Sequence, residues 1–153
     1  HPAFKRFVNM AARRKIDIGI EVPHRGFHLV QKDLAAFLIL LALETGMEAE
    51  SLIRLKVDCL VNPTKGYVEI AYHKRRARGA EWKRLRVRDG GSTTPGGLIR
   101  LALALTERAR RHLESDRLWV LWTVAGLRPA SDDGPHDLDR FAADHGLIDD
   151  DGK

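Results

Sequence analysis

Residues 66–88 contain two segments in which apolar and polar side chains alternate, and this pattern restricts the fold more than any other feature. The segments are GYVEIAY (66–72) and EWKRLRVR (81–88), joined by a charged stretch that contains Gly79. A period of two is typical of a strand with one buried face, and two such strands joined by a glycine-containing loop form a β-hairpin. We therefore predict an antiparallel hairpin over these residues.

Helix and strand signals precede the hairpin. The apolar segment 31–45 is followed by Gly46, a typical stop residue, and predicts a central core helix. A short helix is expected at 49–55. The β-branched and apolar segment 57–61 predicts a strand, and the Asn-Pro pair at 62–63 predicts a turn after it.

A long helix is predicted after the hairpin. Thr94 is suited to cap this helix and Pro95 to occupy its first position. Its apolar stripe consists of leucines: Leu98, Leu101, Leu105 and Leu113. The apolar segment 118–127 fits either a strand or a helix. Together these patterns predict an α+β domain, mainly helical with a small antiparallel β-sheet.

The composition is typical of a folded cytoplasmic domain. The chain has 153 residues, a formal net charge of +5, a pI near 9.7 and a single cysteine, Cys59. A single thiol excludes an internal disulfide and is compatible with a reducing compartment. The longest apolar run, 34–43, is too short to cross a bilayer. We therefore expect a cytoplasmic protein that does not enter a membrane and whose basic surface suits an acidic partner.

The two ends of the chain are typical of a piece of a longer protein. The sequence has no initiator methionine, and residues 1–15 already carry a helical pattern. Residues 128–153 are acidic and are expected to be solvated and flexible. We therefore expect residues 1–153 to form one domain that is truncated at its C-terminal side.

The hairpin segment is strongly basic. Residues 72–88 contain eight lysines and arginines against one glutamate. Alternation along the second strand sends Lys83 to one face and sends Arg84 and Arg86 to the other. Four further bases are expected in the loop around Gly79: Lys74, Arg75, Arg76 and Arg78. A charged tip on a stiff ribbon suits contact with phosphates on both sides of a nucleic-acid groove, although surface bases also serve solubility alone.

Two segments, in this order, resemble the catalytic domain of tyrosine recombinases, the phage-integrase family. LETGMEAESLIRL (43–55) is similar to the family's helix that ends in Thr-Gly and to its following short helix. GYVEIAYHK (66–74) is similar to the next strand with its hairpin lysine, and TPGGLIRLALALTERAR (94–110) to the helix after the hairpin. The resemblance covers roughly residues 3–127. It implies an integrase-like fold, double-stranded DNA as the partner, a homo-oligomer on DNA, and DNA breaking and rejoining in the full-length protein.

The resemblance also implies roles for two residues. In this family a tyrosine attacks a DNA phosphodiester, two arginines hold the phosphate oxygens, and the hairpin lysine protonates the leaving oxygen. Lys74 matches that lysine, and an ordinary phosphate contact is its alternative role. Glu48 occupies the position of the first arginine, where a carboxylate repels phosphate.

The second half of the family's active site, a His-x-x-Arg motif and the tyrosine, is missing from the matching region. The only tyrosines, Tyr67 and Tyr72, lie on the predicted hairpin, where packing is their natural role. We therefore expect this chain not to cleave DNA by itself. Two alternatives stay open: a degenerate, non-catalytic DNA-binding or regulatory module, and a helical protein-interaction domain whose basic ribbon binds an acidic protein. No cofactor or metal is expected, because Gly26 interrupts the histidine pair His24 and His28.

Overall fold

The computed structural model describes residues 28–76, 79–131 and 146 of the chain. Within these residues helices and strands occupy comparable lengths of chain, and the predicted α+β class is confirmed. The helices are α1 (Gln31–Thr45), α2 (Ala49–Ile53) and α3 (Pro95–Leu113). The strands are β1 (Leu60–Thr64), β2 (Tyr67–Arg76), β3 (Gly79–Arg88), β4 (Val120–Thr123) and β5 (Gly126–Pro129).

The strands form two antiparallel sheets. One has the order β1-β2-β3, and the other consists of β4 and β5. β2 and β3 pair without interruption, from Tyr67 opposite Arg88 to Arg76 opposite Gly79. The predicted hairpin is therefore confirmed, with longer strands than expected. The ambiguous segment 118–127 contains a strand, β4, and the beginning of its partner β5.

The β2–β3 hairpin extends beyond its neighbour in the sheet. β1 pairs with β2 as far as Ile70, and one further bond joins the Ala71 amide to the Cys59 carbonyl at 2.7 Å. Beyond that point the arms 72–76 and 79–83 pair, among the described strands, with each other alone. About half of the hairpin is therefore a two-stranded ribbon.

The first strand differs from its prediction. β1 covers Leu60–Thr64 rather than 57–61, and the Asn-Pro pair at 62–63 lies inside it instead of ending it. Asn62 has a left-handed backbone with φ +49°, and the register with β2 shifts across this pair. Asparagine tolerates that conformation, and proline is accepted on an edge strand, where its missing N–H costs no ladder bond. The pair therefore produces a local irregularity in the strand, and the turn follows later, at Gly66 with φ +77°.

Helix α1 has the predicted bounds but not the predicted surroundings. The Asp33 carboxylate accepts a hydrogen bond from the Val30 amide at 3.0 Å, and Gly46 ends the helix with φ +67°. The buried residues lie on one face: Leu34, Ala35, Leu38 and Leu41. Leu40 and Leu43 are 48% and 79% exposed, so the prediction of a central core helix is wrong. No helix in the described ranges is both long and apolar enough to cross a membrane.

Helix α3 begins where the sequence predicts, but a different face packs. The Thr94 hydroxyl accepts a hydrogen bond from the Gly97 amide at 3.3 Å. Beyond the first turn the buried residues are Leu98, Ile99, Ala102, Thr106 and Ala109. Leu101 and Leu105 of the predicted stripe are 39% and 44% exposed. The packed face is rich in small residues, which let the helix lie close to β3 and β4, and close packing decides the orientation.

Trp119 joins the second sheet to the helices. Its side chain is fully buried, and the indole Nε1 donates a hydrogen bond to the Leu52 carbonyl of α2 at 2.7 Å. The ring lies against Phe37 of α1, with 5.6 Å between centroids. The preceding amide, that of Leu118, donates to the Leu55 carbonyl at 2.9 Å. These contacts hold the connector between α2 and β1 beside the hairpin.

Candidate nucleic-acid interface

The outer face of the β2–β3 hairpin carries a row of arginines. Arg84, Arg86 and Arg88 are all exposed, while Val87 between them is buried on the inner face. The Arg86 guanidinium lies 4.6 Å from the centroid of the Tyr67 ring. Within the described part of the chain, the guanidinium groups of Arg84 and Arg88 form no ion pair. Strand alternation therefore places these three arginines on one face of β3, and we call them the arginine row.

The inner face brings together two residues that the sequence singled out. Lys74 Nζ lies 2.8 Å from Glu48 Oε1, with side chains 31% and 60% exposed. Glu48 precedes the first residue of α2 and makes no side-chain hydrogen bond to cap that helix. Its carboxylate therefore binds the candidate general acid instead. Lys83, on the same face, forms a second ion pair, with Glu81 at 3.1 Å.

The bases predicted in the hairpin loop are placed differently. Lys74, Arg75 and Arg76 belong to β2, and Arg76 lies opposite Gly79. Gly79, the first residue of β3, has φ +121°, a conformation that favours glycine. Three of the four bases that were predicted in the loop are therefore strand residues. Arg78 and the side chains of Arg75 and Arg76 lie outside the described residues.

A cavity of about 670 Å³ opens between the hairpin and the connector that follows α2. The connector forms one wall, and the neighbouring segments 71–73 and 82–84 form the other. Its cationic lining residues are Arg54, Lys56, Lys83, Arg84 and Arg117. Asp58 is the single acidic residue in the lining. This cavity, which we call the hairpin groove, is therefore a basic site continuous with the arginine row through Arg84.

Three cations of the groove are held by carboxylates outside its lining: Arg54 pairs with Glu50 at 3.1 Å, Lys56 Nζ lies 2.7 Å from Asp116 Oδ2, and Lys83 pairs with Glu81 at 3.1 Å. The hydrogen bond that Lys56 donates to Asp116 raises the pKa of Lys56 and lowers the pKa of Asp116. The pairs of Lys56 and Lys83 are open to solvent and therefore weak, so a phosphate can compete for these two cations.

Trp82 is the residue of this site that sequence reasoning missed. Its side chain is 68% exposed, and its ring meets His73 edge-on, with 5.3 Å between centroids. Strand alternation carries the signal for its position, because Trp82 lies two residues before Arg84 and therefore shares the face of that arginine. An exposed aromatic ring therefore stands at the edge of the groove beside a cation.

The described residues offer little to covalent or metal chemistry at this site. Burial raises the pKa of the Cys59 thiol to about 12, so the sulfur in the groove is neutral and a poor nucleophile. Tyr67 lies against Arg86, and Tyr72 packs against the core. Within the described ranges no group of three or more potential metal-ligating side chains occurs. The arrangement is suited to binding an anion with an aromatic component.

The resemblance of segments 43–55, 66–74 and 94–110 to tyrosine recombinases stays a prediction from the sequence. What the site can bind follows from its geometry and charge. In comparisons with known proteins, no family model, no curated protein and no solved structure matches the chain.

Proposed function

We propose that this domain binds double-stranded DNA through the β2–β3 hairpin, as a non-catalytic relative of the integrase catalytic domain. The observation that carries the proposal is the arginine row: Arg84, Arg86 and Arg88, exposed on the outer face of β3 at an edge of the three-stranded sheet. Alternate residues of a strand lie about 7 Å apart, so the row extends for about 14 Å. Phosphates follow one another every ~3.4 Å along the axis of each DNA strand, so the row can reach several of them.

The shape of the hairpin supports duplex DNA over an unspecific acidic partner. The two-stranded distal arms of the hairpin fit the major groove, which is about 12 Å wide, and the arginine row continues from these arms along β3, where it can meet the phosphates of a bordering strand. Arg84 and Arg88 have no acidic partner among the described residues, so little has to be broken before they bind. The net charge of +5 adds an attraction that acts over the Debye length.

The contact between Lys74 and Glu48 favours a binding module over an enzyme that breaks DNA. Catalysis of the integrase type needs a lysine free to protonate a leaving oxygen and an arginine to hold the phosphate. Here a carboxylate lies 2.8 Å from that lysine and stands at the position of that arginine. A negative charge at this place opposes the binding of a scissile phosphate. DNA strand breakage and rejoining in a longer protein remains the competing proposal, with the tyrosine and the second arginine supplied from outside residues 1–153.

The experiment that tests duplex binding compares two triple variants of equal charge. One replaces the arginine row by glutamine (Arg84→Gln, Arg86→Gln, Arg88→Gln). The control replaces three exposed arginines on α3 and β5: Arg108→Gln, Arg111→Gln and Arg128→Gln. Fluorescence anisotropy with a labelled duplex, measured at several salt concentrations, gives the affinity and its salt dependence.

The two variants are expected to differ in the slope of log affinity against log salt. Each lost phosphate contact lowers this slope by about 0.9, so the first variant should lose two to three such steps, or about two to three units. The control keeps the wild-type slope, because its charges act only through the overall field. Equal curves for both variants would remove the hairpin from the interface and overturn the proposal.

A further inference from the structure

Contact with the phosphates of a DNA duplex does not explain the exposure and surroundings of the Trp82 side chain. Its indole is 68% exposed, although burying an aromatic side chain of this size is strongly favourable. It does not belong to an apolar patch: its neighbours on the groove walls are His73, Lys83 and Arg84. An aromatic ring among cations is the arrangement that proteins use to stack a nucleic-acid base while holding the adjoining phosphate.

His73 and the paired strand hold the indole in place. His73 lies directly opposite Trp82 in the register, and the planes of the two rings meet at 64°. This edge-on contact restricts the indole without enclosing it. A ring held in this way loses less conformational entropy on stacking than a mobile one, so the platform is preorganised.

The hairpin groove has the volume and charge for one nucleotide. Its volume of about 670 Å³ lies within the range of about 300–1,000 Å³ typical of small-molecule sites. Arg84 lies two residues after Trp82 on the same face, and Lys56 and Arg117 belong to the opposite wall. A phosphate next to a stacked base therefore meets cations from both walls. In an intact duplex the faces of the bases are stacked on each other, so a base that reaches Trp82 has to be unpaired.

We infer that the hairpin groove binds an unpaired nucleotide of a nucleic-acid strand, with its base stacked on Trp82 and its phosphate held by Arg84 and the cations of the opposite wall. The inference rests on the proposed function, because it refines which form of nucleic acid the domain binds. It assigns Arg86 and Arg88 to the duplex, and the groove with Arg84 at its edge to single-stranded or locally opened positions. Stacking of this kind is sequence-tolerant, so affinity without base preference is expected.

The test compares binding of a short oligothymidylate and of a blunt duplex of equal length. Trp82→Leu removes the aromatic ring but keeps an apolar side chain, and Trp82→Phe restores a ring. Tyr67→Leu is the matched control, because Tyr67 lies at the far end of β2 and outside the groove. Urea unfolding of each variant shows that the fold is retained, as expected for a side chain that is largely exposed. Anisotropy gives the affinity, and quenching of tryptophan fluorescence reports stacking.

Trp82→Leu should lower the affinity for oligothymidylate by roughly 5- to 100-fold and abolish the quenching. Its affinity for the duplex should change less than about twofold, Trp82→Phe should recover most of the loss, and Tyr67→Leu should bind oligothymidylate as wild type does. An unchanged oligothymidylate affinity in Trp82→Leu, or no binding of oligothymidylate at all, overturns the inference.

The outcomes for the two proposals are distinguishable. Duplex binding that depends on the arginine row, without single-strand binding at Trp82, leaves the proposed function standing and removes the inference. Single-strand binding through Trp82 without duplex binding does the reverse: it removes the duplex proposal and keeps the groove as the nucleic-acid site.

Discussion

The two halves of the β2–β3 hairpin share one uninterrupted strand pairing but differ in what surrounds them. In the proximal half, Val68, Ile70 and Val87 are buried, and β1 pairs alongside. In the distal half, Trp82 is 68% exposed and Lys74 bonds to a surface carboxylate. The inner face of the proximal half is thus part of the core and its outer face carries the arginine row, while the distal half presents charge and an aromatic ring.

This difference separates stability from binding within one element. An isolated two-stranded hairpin is marginally stable at best in water, so the distal half depends on the anchored half for its conformation. Substitutions on the inner face of the proximal half should therefore change the free energy of unfolding, and substitutions on the arginine row or in the distal half should change binding. The following changes test that separation in order of decreasing expected effect on stability.

Ile70→Ala should have the largest effect. Ile70 is fully buried, and truncating a buried isoleucine costs about 2–5 kcal/mol of unfolding free energy through lost burial and a residual cavity. Leu43→Ala is the control, because Leu43 is 79% exposed and its truncation should change stability by less than about 0.5 kcal/mol. Urea unfolding measures both. A loss below about 1 kcal/mol for Ile70→Ala would contradict the view that the proximal half is anchored in the core.

Gly97→Ala should be the next in size, because it disturbs the packing of α3 against the turn that follows β3. A Cβ at Gly97 would lie 2.7 Å from the Gly90 carbonyl oxygen and closer still to that of Gly91, and neither backbone can yield as a flexible side chain would. We expect a loss of about 1–3 kcal/mol, even though alanine is the better helix former.

The control for that change is Gly91→Ala. A Cβ at Gly91 would meet no atom within 4 Å, and its φ lies outside the left-handed range. Its unfolding free energy should stay within about 0.5 kcal/mol of wild type. Equal losses in the two variants would show that the effect comes from glycine flexibility rather than from the clash.

Asp89→Asn should have a smaller effect that depends on pH. Arg100 of α3 donates two hydrogen bonds to this carboxylate, at 2.9 and 2.6 Å, and lowers the pKa of Asp89. A lowered folded-state pKa means that the stabilisation is present above the unfolded value of about 3.9 and is lost as the pH falls through the folded value. Because Arg100 is 51% exposed, the contribution at neutral pH is about 0.5–1 kcal/mol.

Urea unfolding of wild type and Asp89→Asn across the acid range measures this dependence. The difference in unfolding free energy should be greatest at neutral pH and should shrink towards zero as Asp89 is protonated. Arg100→Gln should show the same trend. The double variant should lose no more unfolding free energy than the two single variants lose together. A difference that grows on acidification would contradict the assigned cause of the pKa shift.

Glu48→Gln should change stability least and binding in a favourable direction. The substitution releases Lys74 from a partly exposed ion pair, at a cost below about 1 kcal/mol. The freed lysine adds one phosphate contact, so the slope of log affinity for duplex DNA against log salt should steepen by about 0.9. Glu44→Gln, an exposed position on α1, is the charge-matched control. If both variants bind DNA alike, Lys74 does not contact the phosphates.

Signals that act within a few residues were sufficient to predict the end of α1 and the beginning of α3. Gly46 ended α1, and Thr94 with Pro95 began α3, because caps and stops are local interactions. The Asn-Pro pair of β1 was interpreted as a turn. Pairing with β2 makes this segment an irregular edge strand instead, and that pairing is not visible in a local sequence pattern. For the candidate site, the sequence predicted that Arg84 and Arg86 share a face, but it did not predict the groove beside them.

The amino-acid sequence by itself determined that the chain forms helices and a basic, alternating hairpin, since propensity, capping and period act between near neighbours. Only the tertiary structure decided which leucines of α3 are buried, that Lys74 meets Glu48 across 26 positions of sequence, and that Trp82 borders a cationic groove. The reason is physical: burial and long-range ion pairs depend on which surfaces approach in space, and that choice is made by close packing of the whole domain.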